Sequence, residues 1–322
     1  MPSQTIPVVD MAAWHHGSAA ERDAIIQTIG DALADIGFFA VENHGVDSAL
    51  ITRAYDTTLR FFELPQETKE RWYIPGGAGQ RGYTGYGREH AKDSQAPDLK
   101  EFWHVGREFT PGDAAYAGMR NNVWPDAPAD FRSTMLELYR ALDELGQNLL
   151  RAASIYLGEE PEYLPSTAQR GDTILRLIHY PPVPADRHPA SVRAAAHEDI
   201  NLITILCEAT TGGLELLQRD GTWRPIHALG GQLIVDSGDM LQHLTNGLLK
   251  STTHRVVNPD NSRERRFSMP YFVHPRGDVD LTPRKSCFAR TGGAARFEPL
   301  TARQYLMRRL EEIGLVGDDA KD

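Results

Sequence analysis

His197, Asp199 and His254 are the residues of this chain whose types and spacing most directly imply chemistry. The segment Ala196-His197-Glu198-Asp199-Ile200 lies between two runs that read as strands, and side chains at i and i+2 of an extended segment project to one face. His197 and Asp199 can therefore bind one ion. An H-x-D match alone decides little, because 12 His and 24 Asp in 322 residues give about one by chance. His254 adds the missing donor: it is a polar residue in the β-rich run 250–257 and can supply a third ligand from a neighbouring strand. Two imidazoles and one carboxylate are the donor set of facial non-haem iron(II) sites, which leave three positions open for substrates and dioxygen. Zinc is the competing metal. The helical zinc motif H-E-x-x-H begins at His197-Glu198 but has Asn201 where its second histidine belongs, which excludes that version.

Twelve residues beyond His254 stands Arg266-Phe267-Ser268, and on a strand Arg266 and Ser268 share a face. A guanidinium fork beside a hydroxyl is suited to gripping a carboxylate bidentately in a desolvated barrel. Arg263, Arg265 and Arg266 together follow Asn261-Ser262 like a solvated turn, but Arg266 also begins the apolar alternation through Met269, Tyr271 and Val273. Other histidines read as bystanders. His179, beside Tyr180, points to the opposite strand face with a structural or pocket role; His243 sits in a β run; His44 occupies the turn-like Asn43-His44-Gly45. With two cysteines, Cys207 and Cys287, neither a disulfide framework nor a cysteine-rich zinc site is available.

The elements that must position these groups come in two textures. Residues 6–10 and 38–41 read as strands, with a helix between them announced by the capping box Ser18/Glu21 and stopped by Gly37. Helical periodicity restarts at Asp47, runs through Phe62 and breaks at Pro65. Residues 76–87 are glycine-rich, and Gly77, Gly79 and Gly82 satisfy G-x-G-x-x-G; with Ile74-Pro75 before them and Gly85 and Gly87 after, no strand–helix frame exists, so a mobile loop is expected instead. A long helix is expected over 128–157, carried by Met135, Leu138, Leu142, Leu145 and Leu149 and stopped by Gly158. Short apolar runs at 174–180, 202–207, 214–217, 232–235 and 267–273 then alternate with Gly, Pro, Asp and Asn, the texture of an antiparallel jelly roll of about eight strands. A last helix is expected over 301–313.

Taken in order along nearly the whole chain, these residues resemble the isopenicillin N synthase-like superfamily of iron(II)- and 2-oxoglutarate-dependent dioxygenases. The likeness includes Ile6-Pro7-Val8-Val9-Asp10, Gly37-Phe38-Phe39, Asn43-His44-Gly45-Val46 and Phe61-Phe62-Glu63-Leu64-Pro65 in the leading part. It continues at Tyr180-Pro181-Pro182, His197-x-Asp199, Gly238-Asp239-Met240-Leu241, Thr245-Asn246-Gly247, His254-Arg255-Val256 and Arg266-x-Ser268. The resemblance implies that His197, Asp199 and His254 hold Fe(II). It also implies that Arg266, Ser268 and Tyr180 bind the distal carboxylate of 2-oxoglutarate, and that O2 is consumed as a small-molecule substrate is oxidised with release of succinate and CO2. One departure is Ile178, where many members carry Asn two residues before Tyr-Pro.

The expected architecture is α+β: a double-stranded β-helix core flanked by helices, with an N-terminal α/β region at 1–120 and the bracing helix, oxygenase core and C-terminal helix at 121–322. The resemblance draws the pocket walls from Arg81, Tyr83 and Tyr86, from 102–107 with Phe102 and Arg107, from Tyr271 and Phe272, and from the C-terminal helix. An iron(II) oxidase without a keto acid, using Arg266 and Ser268 on the substrate's own carboxylate, is the alternative; a non-catalytic jelly-roll ligand binder is a more distant one. The 34 Lys plus Arg against 44 Asp plus Glu leave a net charge of −10, which disfavours nucleic acid and anionic membranes as partners. No run of about 18 apolar residues and no basic start with an apolar sequel occurs, so a cytoplasmic location is expected.

Overall fold

Two strands with opposite faces in different surroundings organise the molecule. In β5 (Ile174–Tyr180) and β12 (Arg266–Val273), hydrogen-bonded with Arg266 opposite Tyr180, successive side chains alternate between a helical layer and a barrel interior. Leu175, Leu177, Met269, Tyr271 and Val273 join the main apolar core; Arg176, Ile178, Tyr180, Arg266, Ser268 and Phe272 turn inward to a cavity. The computed structural model describes residues 6–89, 98–109, 120–183, 191–207, 211–226, 230–258 and 264–312.

The remaining strands are β1 (Val8–Asp10), β2 (Phe38–Glu42), β3 (Gly82–Thr84), β4 (Glu101–Gly106), β6 (Ala194–His197), β7 (Ile203–Cys207), β8 (Leu214–Leu217), β9 (Trp223–Pro225), β10 (Leu233–Ser237) and β11 (His254–Val256). They form a large sheet in the order β1-β2-β10-β7-β12-β5-β4-β3 and a small one in the order β6-β11-β8-β9. From β5 to β12 the chain passes back and forth between the two sheets, and these eight strands are the jelly roll. Strands from the first 120 residues extend the large sheet on both sides, β2 against β10 and β4 against β5.

Helices cover the outer face of the large sheet. Of α1 (Ala12–His16), α2 (Ala19–Asp35), α3 (Ser48–Phe62), α4 (Gln66–Glu70), α5 (Phe131–Tyr156) and α6 (Tyr163–Ala168), α5 is the brace. Its stripe of Met135, Leu138, Leu142, Leu145 and Leu149 is buried, and Gly146 lets its backbone close on Val273 and Ile205. The capping box of α2 forms as the spacing requires: Ser18 Oγ accepts from the Glu21 amide, and the Ser18 amide donates to Glu21 Oε2 at 2.7 Å. Three short or terminal helices follow: α7 (Asp239–Leu244), α8 (Lys285–Phe288) and α9 (Ala302–Glu312). No helix among the described residues is long and apolar enough to cross a membrane.

Two expectations are corrected here. Residues 76–87 are not a free loop: they include β3, paired with β4, and Arg81, Tyr83 and Thr84 are buried. His243 lies on α7 and not in a β run, because Gly238 starts a helical turn and Met240, Leu241 and Leu244 fill its apolar side.

The helical layer meets the sheet at an aromatic knot in which Phe61 packs edge-on against Trp103 at 4.9 Å and Phe62 at 5.1 Å and lies 5.3 Å from Phe131. Phe61 is fully buried, so Phe61→Ala is expected to destabilise the fold by about 3–5 kcal/mol. Urea unfolding monitored by circular dichroism measures this; a loss below about 1 kcal/mol would contradict the packing described.

Candidate active site

At the mouth of the barrel β6 ends where β11 begins, and their antiparallel ladder sets His197 directly opposite His254. Asp199 lies past the end of β6, so its approach comes from the turn into β7 and not from strand alternation. Its backbone carbonyl accepts from the Asp239 amide at 2.7 Å, which ties the turn to α7. His197 Nε2 and His254 Nε2 each lie 3.8 Å from Asp199 Oδ1, and the three ligand atoms fall within 4.8 Å of one another, the one such convergence among the described residues.

The ring protons are placed to match. His197 Nδ1 lies 2.7 Å from the Ala195 carbonyl and His254 Nδ1 lies 3.1 Å from the Thr252 carbonyl, so each Nδ1 carries the hydrogen and each Nε2 offers a lone pair to the centre. Burial, then the neighbouring His254, pushes the His197 pKa down to about 4, which keeps the imidazole neutral. Thr204 donates to Asp199 Oδ2 and itself accepts from Asn201 Nδ2 at 2.9 Å. Asp236 faces the same carboxylate; burial first, and Asp199 second, raise its pKa well above the usual range, so it stays protonated. Two imidazole nitrogens and one fixed carboxylate fit iron(II).

Two adjoining cavities meet at this centre and share His197, Asp199, Lys100, Arg176 and Phe272. The first holds Tyr180, Arg266 and Ser268. Arg266 is 2% exposed; its Nε donates to the Thr211 carbonyl at 3.1 Å, while its Nη1 is buried with no partner among the described residues. Its guanidinium lies 5.0 Å from the Tyr180 ring, and Arg193 flanks that ring at 6.0 Å. An orphaned donor nitrogen among positive neighbours fits the carboxylate end of a keto acid. Ile178, in place of the expected Asn, contributes only apolar surface here.

Comparison with known proteins decides the identity of this arrangement. Residues 6–127 match the family described as non-haem dioxygenase in morphine synthesis N-terminal, and residues 171–275 match the 2OG-Fe(II) oxygenase superfamily. A homoarginine-6-hydroxylase from Oryza sativa subsp. japonica is 30% identical over 89% of this chain and 88% of its own. The chain belongs to the 2OG-Fe(II) oxygenase superfamily. A solved family protein from Caulobacter crescentus superposes with a TM-score of 0.84 at 39% identity, covering 95% of this chain and 98% of that one. A Neurospora crassa enzyme solved in complex with alpha-KG, which is 2-oxoglutarate, and thymine superposes with a TM-score of 0.84 at 28% identity over 95% and 96% of the two chains. This protein is a 2-oxoglutarate-dependent dioxygenase, with Fe(II), 2-oxoglutarate and O2 as its cofactor and cosubstrates.

The second cavity of the oxygenase lies between the barrel and α9, which contributes Leu306, Arg309 and Leu310. Of the seven wall residues named from the sequence only Phe272 lines it. Arg81 is bound to Asp172 at 3.2 Å, Arg107 to Asp143 at 3.1 Å, and the Tyr83 hydroxyl donates to Glu101. Phe102 points inward but lies beneath Arg176, 4.4 Å from its guanidinium. Tyr271 faces the helical layer and bonds Asp143 at 3.0 Å, and Tyr86 is exposed. The physical reason is the strand period: alternate residues of β4 and β12 belong to the outer face. Within 102–107 it is His104 that reaches the cavity, joined by Glu89, Lys100, Arg176 and His274, which sequence reasoning did not select. The bystanders are accounted for: His179 bonds Glu101 at 2.8 Å and stacks on Phe267, His243 lies 2.7 Å from the Glu298 carbonyl, and His44 lies 3.2 Å from that of Gly231.

Gly238 packs where a methyl group would stand 2.4 Å from the Asn201 carbonyl and 2.8 Å from the Asp199 carbonyl. Gly238→Ala is therefore expected to shift the Asp199 turn and weaken iron(II) binding about 10- to 100-fold with every ligand side chain intact. Anaerobic iron titration reads this, and unchanged affinity would contradict the assignment of that turn. His274 is held neutral by burial, its pKa pushed down to about 4 against 6.5 when unfolded. The unfolded chain alone takes up that proton as pH falls through this window, so stability is lost from about pH 6.5 down to about pH 4. His274→Asn should make the fall of the urea midpoint across that range shallower; an unchanged slope would refute it.

Proposed function

We propose that this oxygenase holds iron(II) through His197, Asp199 and His254, and seats the distal carboxylate of 2-oxoglutarate on Arg266 and Ser268 beside Tyr180. In this reading a small organic molecule is oxidised in the second cavity under α9. The observation that carries it is the Arg266 guanidinium, buried with Nη1 unsatisfied in a cavity that opens on the three convergent ligand atoms. A buried charge without a counterion is costly, and a ligand carboxylate is the group that removes the cost. Bound iron supplies the redox chemistry by which 2-oxoglutarate and O2 become succinate, CO2 and an oxidised substrate.

The chain's own residues then have separable tasks. Arg266 and Ser268 fix one end of the keto acid, which sets where its other end lies relative to the metal ligands. The Nδ1 bonds of His197 and His254 to backbone carbonyls orient both rings so that each Nε2 faces the centre. Leu306 and Leu310 of α9 close the second cavity with apolar surface and exclude water. That the substrate is a small molecule is supported by the thymine complex of the Neurospora crassa enzyme, whose chain superposes on this one. We propose further that residues 1–120 form an N-terminal α/β region that extends the large sheet through β1–β4 and adds Glu89, Lys100 and His104 to the second cavity, while 121–322 comprise the bracing helix α5, the jelly-roll core with the metal ligands, and α9.

Arg266→Ala is expected to raise the dissociation constant for 2-oxoglutarate, titrated anaerobically into the iron(II)-loaded chain, by about 100-fold or more, and Ser268→Ala by about tenfold. Candidate small molecules are then ranked by the succinate they release under oxygen. Full turnover of any substrate by the wild type without 2-oxoglutarate would overturn this reading in favour of a keto-acid-free oxidase.

A further inference from the structure

We propose that the prime substrate presents an uncharged amide-type edge, a carbonyl oxygen beside an N–H as in a lactam, hydantoin or other cyclic ureide, to Arg176 and Glu89. This rests on the reading of the second cavity as the prime-substrate site.

Arg176 belongs to the inward row of β5, where a guanidinium between Ile174 and Ile178 interrupts an apolar strand. It is held from every side but one. Its planar group lies 4.4 Å from the Phe102 ring and 5.2 Å from the Phe272 ring. Its Nε donates to His104 Nε2 at 2.5 Å, and its Nη1 donates to Glu89 Oε1 at 3.2 Å. His104 Nδ1 lies 2.5 Å from the Gly79 carbonyl and so carries the ring proton, which leaves Nε2 as the acceptor. The remaining nitrogen, Nη2, has no partner among the described residues. Glu89 is the mirror case. Its Oε1 also accepts from Lys100 Nζ at 3.0 Å, while Oε2 is buried without a partner. The cavity wall thus carries one unfilled donor and one unfilled acceptor on the two sides of a single ion pair.

Charge selects among the groups that could fill them. Lys100 is also bonded to Asp98 at 2.8 Å, so the wall consists of two acids, Glu89 and Asp98, and two bases, Lys100 and Arg176. Burial opposes the Glu89 charge, but Arg176 and Lys100 outweigh it and hold the carboxyl well below its usual range. The cluster is neutral as it stands. A carboxylate headgroup would compete with Glu89 for Arg176 and bury a surplus negative charge, and an ammonium would do the converse against Arg176 and Lys100. An amide edge fills both positions and adds no charge. Ile200, Leu306 and Leu310 receive a hydrocarbon body, and the charged groups among them are already engaged, Glu198 by the Thr253 hydroxyl and Arg309 by Asp239 at 3.6 Å and Glu312 at 3.0 Å.

The test uses the full chain loaded anaerobically with iron(II) and 2-oxoglutarate, with ligands titrated calorimetrically. The probes are 2-piperidone, hydantoin, N-methyl-2-piperidone, cyclohexanecarboxylate and piperidine. The lactam and hydantoin are expected to bind. N-methylation should weaken the lactam about tenfold or more, a comparison that needs no variant; Arg176→Gln should weaken 2-piperidone by a similar factor. Tighter binding of cyclohexanecarboxylate or piperidine than of 2-piperidone, indifference to N-methylation, or binding of none of the five would overturn the proposal. Failure of 2-oxoglutarate itself to bind the iron-loaded wild type would instead overturn the cosubstrate reading beneath it.

Discussion

His254 stands opposite His197 in the β6–β11 ladder, and the rest of the site depends on that register. A slip of one residue would turn His254 outward and bring in Arg255, whose guanidinium now lies on the outer face, 2.7 Å from Glu215 and 3.9 Å from the Trp223 ring. The register is held from the other side as well, since His254 pairs with Leu216 of β8 and its ring meets Phe38 edge-on at 5.6 Å. Asp199 needs a separate tether because it lies beyond the strand. The Asp239 amide and the close approach of Gly238 supply it.

A barrel interior filled with charge cannot be its own source of stability. Between the two sheets the apolar cluster is small, centred on Phe38, Ala40, Leu214, Leu216 and Ile234. The cohesion comes from the other side of the same strands, where the outward rows of β5, β7, β10 and β12 meet α2, α3 and α5 in one continuous core. Strand alternation therefore separates two functions residue by residue: odd positions of β12 from Phe267 hold the fold together, and even positions from Arg266 face the ligands. Buried ion pairs on the helical side, such as Lys69–Glu101 at 2.8 Å, are satisfied in place and add definition more than net stability.

Where chemistry and period coincide, this architecture was legible in the sequence. Arg266 and Ser268 stand out because polar residues two apart in an apolar strand need a buried reason, and His197-x-Asp199 because His254 follows at a strand start. Strands β5 and β8 and the stripe of α5 could be read from spacing alone. The short helix α7 could not, since six residues of mixed apolar character carry no decisive period. The cavity wall was hidden for a different reason. Glu89, Lys100 and Arg176 come from separate segments, and each alone reads as a solvated charge; only the sheet order that puts β4 beside β5 shows that they neutralise one another. Arg81, Tyr83 and Arg107 misled in the converse way, being conspicuous residues whose hydrogen bonds are spent on the scaffold.

The large sheet is also laid down out of sequence order. β2, ending at Glu42, finds its antiparallel partner in β10, which begins at Leu233, and β4 waits for β5 some seventy residues on. A nascent chain that has delivered its first strands therefore carries them with one hydrogen-bonding edge unmet until most of the jelly roll has emerged. Such sequence-distant pairing makes closure of the sheet a late and slow event. In the small sheet β11 likewise follows β6 only after β7–β10, so the metal ligands converge only once His254 has been made.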